Sequence, residues 1–234
     1  MASISRAYMQ QIYQQFQMFA TWPTQSVVNL GDVGVMKDRL FRKVSHLDDF
    51  NVRFKVEPVG PEADQNYTTS SQISVSTSIG QPPVVGITFG TEGSTYLQAR
   101  NCRRESLGNL LELERSLLEL YRRSEWNPEH VIITSVLRAS PTIILIAGSG
   151  GGSIELSLPA GVIIDELVYP WVSGSVAIKK ESGISVRHVT KHDTTPWFGA
   201  SQLRRPFRKE PTLQFLSGDD ESDMALETLK WDDF

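Results

Sequence analysis

The residues best suited by type to do chemistry are His188, His192 and Asp193, and the single cysteine, Cys102, with Arg103 and Arg104 beside it. Histidines four apart share a face only on a helix, and the stretch "ISVRHVTKHD" alternates as a strand does, so their spacing does not make a metal pair. Flanking arginines lower the pKa of a thiol, but no histidine lies near Cys102 in sequence to act as its base. The third candidate is the glycine run from Gly148 to Gly152, read as a phosphate cradle. Such a cradle must open a helix. Here the glycines lead into Ile154-Glu155-Leu156-Ser157-Leu158-Pro159, an alternating strand, and no Gly-Lys-Ser/Thr follows. The run is expected to turn a hairpin between "TIILIA" and "IELSL". With no nucleophile elbow, carboxylate pair or zinc-protease helix, no catalytic residue, metal or cofactor is assigned, and a non-enzymatic role is expected.

Composition narrows the field further. The chain has 234 residues, enough for one large domain or two small ones, and is 40% hydrophobic and 21% charged, values of an ordinary folded protein. A lone cysteine excludes an internal disulfide and points to a reducing compartment. No apolar run has the length of a signal peptide or a spanning helix, so a cytoplasmic resting state is expected. The net charge of −4 is unevenly spread: residues 217–234 carry seven acids and only Lys230, while residues 1–216 carry 22 basic and 20 acidic side chains. A mildly basic body, 1–216, therefore precedes an acidic tail, 217–234. Nucleic acid is not an expected partner, since no basic stripe is interleaved with stacking aromatics.

The elements that would position any site follow from periodicity. Ile4, Tyr8, Ile12, Phe16 and Ala20 recur at helical spacing and predict an N-terminal helix running to Trp22-Pro23. Residues 27–56 read as short strands turned at Asn29–Asp32 and Asp48–Asp49, with Lys37, Arg39, Arg42 and Lys43 marking a basic edge; 58–71 reads as a polar loop. In "SQISVSTSIG" and "VVGITFG", Ile73, Val75, Ile79, Val85, Ile87 and Phe89 alternate with serine, threonine and glycine, and no charge falls between Ser71 and Gly90. That is a hairpin with one greasy and one hydroxyl face. Residues 105–123 predict a leucine-rich helix with a stripe of Leu107, Leu110, Leu111, Leu117, Leu118 and Tyr121. "VIITSVL" and "TIILIA" have the look of buried strands. "SVAIKKESGISVRHV" predicts a second amphipathic hairpin, with Val176, Ile178, Ile184 and Val186 on its apolar face and a turn at Glu181-Ser182-Gly183. The fold class is α+β: a largely antiparallel twisted sheet with amphipathic hairpins, an N-terminal helix and a central leucine-rich helix.

From Gln72 to Arg205 this order of elements resembles the pore-forming domain of gasdermins, particularly the short bacterial and fungal forms. The resemblance is carried by the uncharged "QISVSTSIG…VVGITFG" strands, the leucine-rich helix, "HVIITSVLRASPTIILI", "IELSLPAG" and "HDTTPWFGASQLRR". The chain departs from that family's pattern in having no cysteine near its N-terminus and only Arg6 as a cation in its first helix. The resemblance implies a cell-death effector kept soluble by a C-terminal segment, released by a protease, and oligomerising into a β-barrel in the membrane. Its partners would be membrane lipid, the activating protease and further copies of itself.

On this reading Ile73, Val75, Ile79, Val85, Ile87, Phe89, Val176, Ile178, Ile184 and Val186 insert into the membrane. Lys179, Lys180, Arg204, Arg205, Arg208 and Lys209 contact lipid headgroups, Lys179 and Lys180 lying at a hairpin tip or in the lumen. Asp219, Asp220, Glu221, Asp223 and Trp231 belong to the inhibitory tail. Two other classes remain open. One is a non-catalytic binding or scaffold module using edge strands and the acidic tail; the other is an enzyme assembled from dispersed residues such as His130, His188, His192 and Asp193.

Overall fold

The computed structural model of the chain describes residues 2–69, 73–78, 83–157, 177–204 and 225–233. Two helices and sixteen mostly antiparallel strands among these residues make an α+β protein with twisted, curled sheets. The chain forms two compact units, Met1–Gln11, Glu62–Cys102 and Arg138–Pro196 in one, and Ile12–Pro61, Arg103–Leu137 and Trp197–Phe234 in the other.

The first unit is built from eight strands: β5 (Gln65–Thr68), β6 (Ile73–Ser78), β7 (Val84–Phe89), β8 (Thr95–Ala99), β11 (Thr142–Ala147), β12 (Ser153–Ser157), β13 (Ala177–Ser182) and β14 (Ile184–Thr190). They form two four-stranded sheets, ordered β14-β11-β8-β5 and β13-β12-β7-β6. The inward side chains of both sheets, among them Val85, Ile87, Phe89, Tyr96, Ile143, Leu145, Ile154 and Leu156, close one apolar core, as in a sandwich. Consecutive strands hold corresponding places in the two sheets, so each pair behaves as one long strand folded over in the middle. The middle pairing keeps one register through the fold: Ser157 faces Val84 and Ser153 faces Thr88 in one sheet, and Ile146 faces Thr95 and Thr142 faces Ala99 in the other.

This arrangement corrects two expectations. The glycine run does not close a hairpin, because β11 and β12 pair with other strands and belong to different sheets. It carries the chain from one sheet to the other. Gly151 has φ 76°, and a Cβ on Gly152 would stand 2.7 Å from the Gly183 carbonyl oxygen, so both positions suit glycine. Likewise β13 and β14 do not form a hairpin: β13 pairs with β12 and β14 with β11, and Gly183 alone separates them, at φ 62°. The first expected hairpin, β6–β7, does form, from Ile73↔Phe89 to Ser78↔Val84.

The second unit includes β1 (Phe19–Ala20), β2 (Asp32–Lys37), β3 (Leu40–His46), β4 (Val56–Pro61), β9 (Arg103–Leu107) and β16 (Ala225–Thr228), with the portions of β10 (Val131–Ala139) and β15 (Thr194–Arg204) that fall within it. The sheet path runs β1-β15-β10-β2-β3, with β16 on β15 and β4 on β9. Asp38 and Arg39, at φ 51° and 65°, turn β2 into β3 in a tight two-residue loop. Asp32 is buried; it accepts from the Asn29 amide at 2.9 Å and pairs with Lys43 at 2.6 Å, so one member of the predicted basic edge neutralises a buried acid.

Helix α2 (Leu110–Arg122) begins later than periodicity implies, because residues 103–107 pair with β4 as β9 and the Gly108 amide donates to Lys55 O. Of the predicted stripe, Leu117 is buried, Leu118 and Tyr121 pack at the edge of the core and Leu107 is buried in β9, whereas Leu110 and Leu111 are exposed and Leu113 and Leu120 are buried in their place. Helix α1 (Ala2–Phe16) stops at Gln17, which takes φ 55° and donates its amide to Tyr13 O; Ala20 lies in β1 instead. The polar stretch 58–71 is not all loop, since it contains β5 and part of β4.

Candidate functional site

The catalytic candidates do not converge. Burial pushes the Cys102 thiol up to about 11, and its sulfur lies 3.5 Å from Ala99 O, a closed environment that makes the thiol inert near neutral pH. His188 is half-buried and desolvation lowers its pKa; His192 and Asp193 are exposed, and His130 belongs to the other unit. No group of three or more metal-ligating side chains occurs among the described residues. The glycine run offers no anion cradle: the Gly148 amide donates to Gly183 O, that of Gly151 to Phe89 O and that of Gly152 to Ser149 O. Each of these donors is spent on the chain itself.

The sheet β13-β12-β7-β6 is the distinctive surface. Because side chains alternate along a strand, its register assigns each residue to a face. Ile87 stands between Val75 on β6 and Ile154 on β12, and Val85 beside Leu156; Ile73 and Phe89 pair at one end. These line the inner face, with Val85, Ile87 and Phe89 at most 2% exposed. The other face carries Ser74, Ser76 and Ser78 on β6, Gly86 and Thr88 on β7, and Ser153 and Ser157 on β12, interrupted by Val84 and Glu155. On β13, Lys180 is the register partner of Glu155, and Lys179 falls at the shift between Glu155 and Leu156. An open sheet face in water ordinarily carries lysine and glutamate; this one is hydroxyl and glycine over three strands apart from Val84 and Glu155.

The predicted inserting residues therefore come together in part. Ile73, Val75, Val85, Ile87 and Phe89 share one core, and Ile184 packs at its rim. Ile178 lies on exposed β13 and is 37% accessible. Val186 pairs with Ile146 in the other sheet and is not part of that core. Ile79 and Val176 lie outside the described residues. Sequence reasoning passed over Ile154 and Leu156, which complete the apolar face; the alternation in "IELSL" was the signal that could have included them.

Of the predicted headgroup cations, Lys179 and Lys180 are exposed on β13. Arg204 is held: its Nη1 pairs with Asp233 at 3.0 Å and its Nε donates to Gln202 at 2.7 Å. Arg205, Arg208 and Lys209 lie outside the described residues, as do Asp219, Asp220, Glu221 and Asp223 of the tail. The end of the tail is packed. Ala225–Thr228 adds to β15 as β16, the Leu226 amide donates to Glu114 Oε2 at 3.1 Å, and the Leu229 amide donates to Ala200 O at 2.8 Å. Leu229 is buried, and Trp231 lies 5.5 Å from the Tyr13 ring with the Arg39 guanidinium 4.4 Å from its own ring. No helix among the described residues is long and apolar enough to cross a membrane, which leaves spanning by strands open.

Comparison with protein-family models, with curated proteins and with solved structures finds no match.

Proposed function

We propose that this chain is a membrane pore former of gasdermin type, a cell-death effector restrained by its C-terminal segment and activated when a protease removes it. The observation that carries the reading is the three strands β12, β7 and β6, apolar on one face and, apart from Val84 and Glu155, hydroxyl and glycine on the other, with no charge on β6 or β7. A barrel wall needs that alternation and tolerates few charges on its lipid side. In the resting fold the apolar face is spent against the facing sheet; on opening, the same residues would meet acyl chains. The matching strand order of the two sheets supports the step, since strand neighbours need not be exchanged to lengthen the sheet.

The packed end of the tail supports a restraint. Asp233 occupies Arg204, a cation assigned to lipid headgroups, and β16 covers an edge of β15. Loss of residues 217–234 removes seven acids and one lysine, leaving a body with a net positive charge that anionic lipid attracts at short range.

The test is dye release from anionic liposomes by the full chain carrying an inserted protease site after Leu216, before and after cleavage. Leakage on cleavage alone is expected; absence of leakage in both states refutes the reading. A protein-binding module is the second reading, favoured by β13, which is exposed along its whole length and ends its sheet among the described residues. It predicts no leakage in either state.

A further inference from the structure

We propose that Glu155 and Lys180 set the ion selectivity of the pore, an inference that rests on the pore-forming reading above. On β6, β7 and β12 the only charged side chain among the described residues is Glu155. Its register neighbours are Gly86 on one side and Lys180 on the other. It lies on the hydroxyl face, because Ile154 and Leu156, to either side of it, belong to the apolar core. A sheet that turns its apolar face to lipid turns the opposite face to the aqueous lumen. Along β6, β7 and β12 that face carries neutral hydroxyls and glycine, which discriminate weakly between ions, with Val84 and Glu155 as the exceptions.

Repeated in every subunit of a ring, Glu155 and Lys180, as register partners, lie side by side in one ring of alternating sign, and rings of charge select ions in pores. The two nearly cancel, so the wild-type pore conducts potassium and chloride about equally. Neutralising either one leaves the other unopposed. This takes Lys180 to the lumen rather than to the lipid headgroups.

The experiment measures reversal potential under a potassium chloride gradient across a planar bilayer of phosphatidylcholine and phosphatidylglycerol. The protein is the full chain with the inserted site after Leu216, cleaved at the membrane. Glu155→Gln shifts the potential toward chloride, Glu155→Lys shifts it further the same way, and Lys180→Gln shifts it toward potassium. Should the Glu155 variants fail to fold, Ser74→Glu, at an exposed position on the same face, tests the same assignment by favouring potassium. Conductance with the wild-type potential in these variants overturns the inference and leaves the pore reading standing. A cleaved wild type that does not conduct overturns the pore reading and the inference with it.

Discussion

Replacing Trp231 with alanine isolates what holds the end of the tail. Trp231 is partly buried, with Tyr13 at 5.5 Å between ring centroids and the Arg39 guanidinium at 4.4 Å. The aromatic pair contributes about 0.5–1.5 kcal/mol and a cation over an indole about 0.5–1 kcal/mol at a site as open as this. The backbone bonds of β16 and the Arg204–Asp233 pair survive the substitution. Tail opening should therefore become easier by about 1–2.5 kcal/mol, or roughly 5- to 70-fold in the opening equilibrium. Amide hydrogen exchange at Leu226 and Leu229 reads that equilibrium directly, since both amides are hydrogen-bonded only while the tail is docked. Both should exchange faster by the same factor in Trp231→Ala. Exchange at the wild-type rate, under conditions where it reports the opening equilibrium, would show that the ring contacts do not restrain the tail.

Leu229→Ala should destabilise the protein by about 2–4 kcal/mol, because it empties a buried place in the core shared with Phe198 and Leu203; urea unfolding measures it. Asp32→Ala should cost about 1–3 kcal/mol, leaving the Asn29 amide without its acceptor and Lys43 without its partner, and Lys43→Met in the same background should cost little more. Ile87→Asp should abolish liposome leakage by the cleaved chain, since it sets a carboxylate amid the apolar face; retained leakage would remove Ile87 from the inserting surface. His188 has its pKa lowered by burial, so the unfolded chain binds a proton near pH 6.5 before the folded one does. Its contribution to stability is thus intact above that pH and declines as pH falls toward the folded pKa. Thermal midpoints at pH 7 and pH 5 should differ less in His188→Gln than in wild type.

What was legible in the sequence is what neighbouring residues decide. The β6–β7 hairpin follows from alternation and a short turn, and "VIITSVL" and "TIILIA" carry their burial in their composition. The leucine-rich helix was visible, and with it Leu117, Leu118 and Tyr121 of its inner side, but leucines at 110, 111, 113, 117, 118 and 120 allow two overlapping stripes, and only the core selects 113 and 120 over 110 and 111. The glycine run and Gly183 looked like hairpin turns because local sequence cannot show that β11 and β12 pair with β8 and β7, and β14 and β13 with β11 and β12. For the same reason β9 was absorbed into the helix. Its partner, β4, lies in a segment with no strand signal of its own. The candidate surface was readable on β6 and β7, but the contribution of β12 depended on knowing which strand lies beside β7.

One register on both sides of the fold means that the connection between β7 and β8 and the one between β11 and β12 must have equal length. A residue deleted from residues 90–94 alone would slip β8 by one place against β11 and turn Tyr96 away from the core while Leu97 turned into it. The same deletion matched by one in residues 148–152 would restore the pairing of β8 with β11. The two turns, far apart along the chain, are therefore coupled in length through β8 and β11, and an insertion or deletion in one should be less damaging when matched in the other.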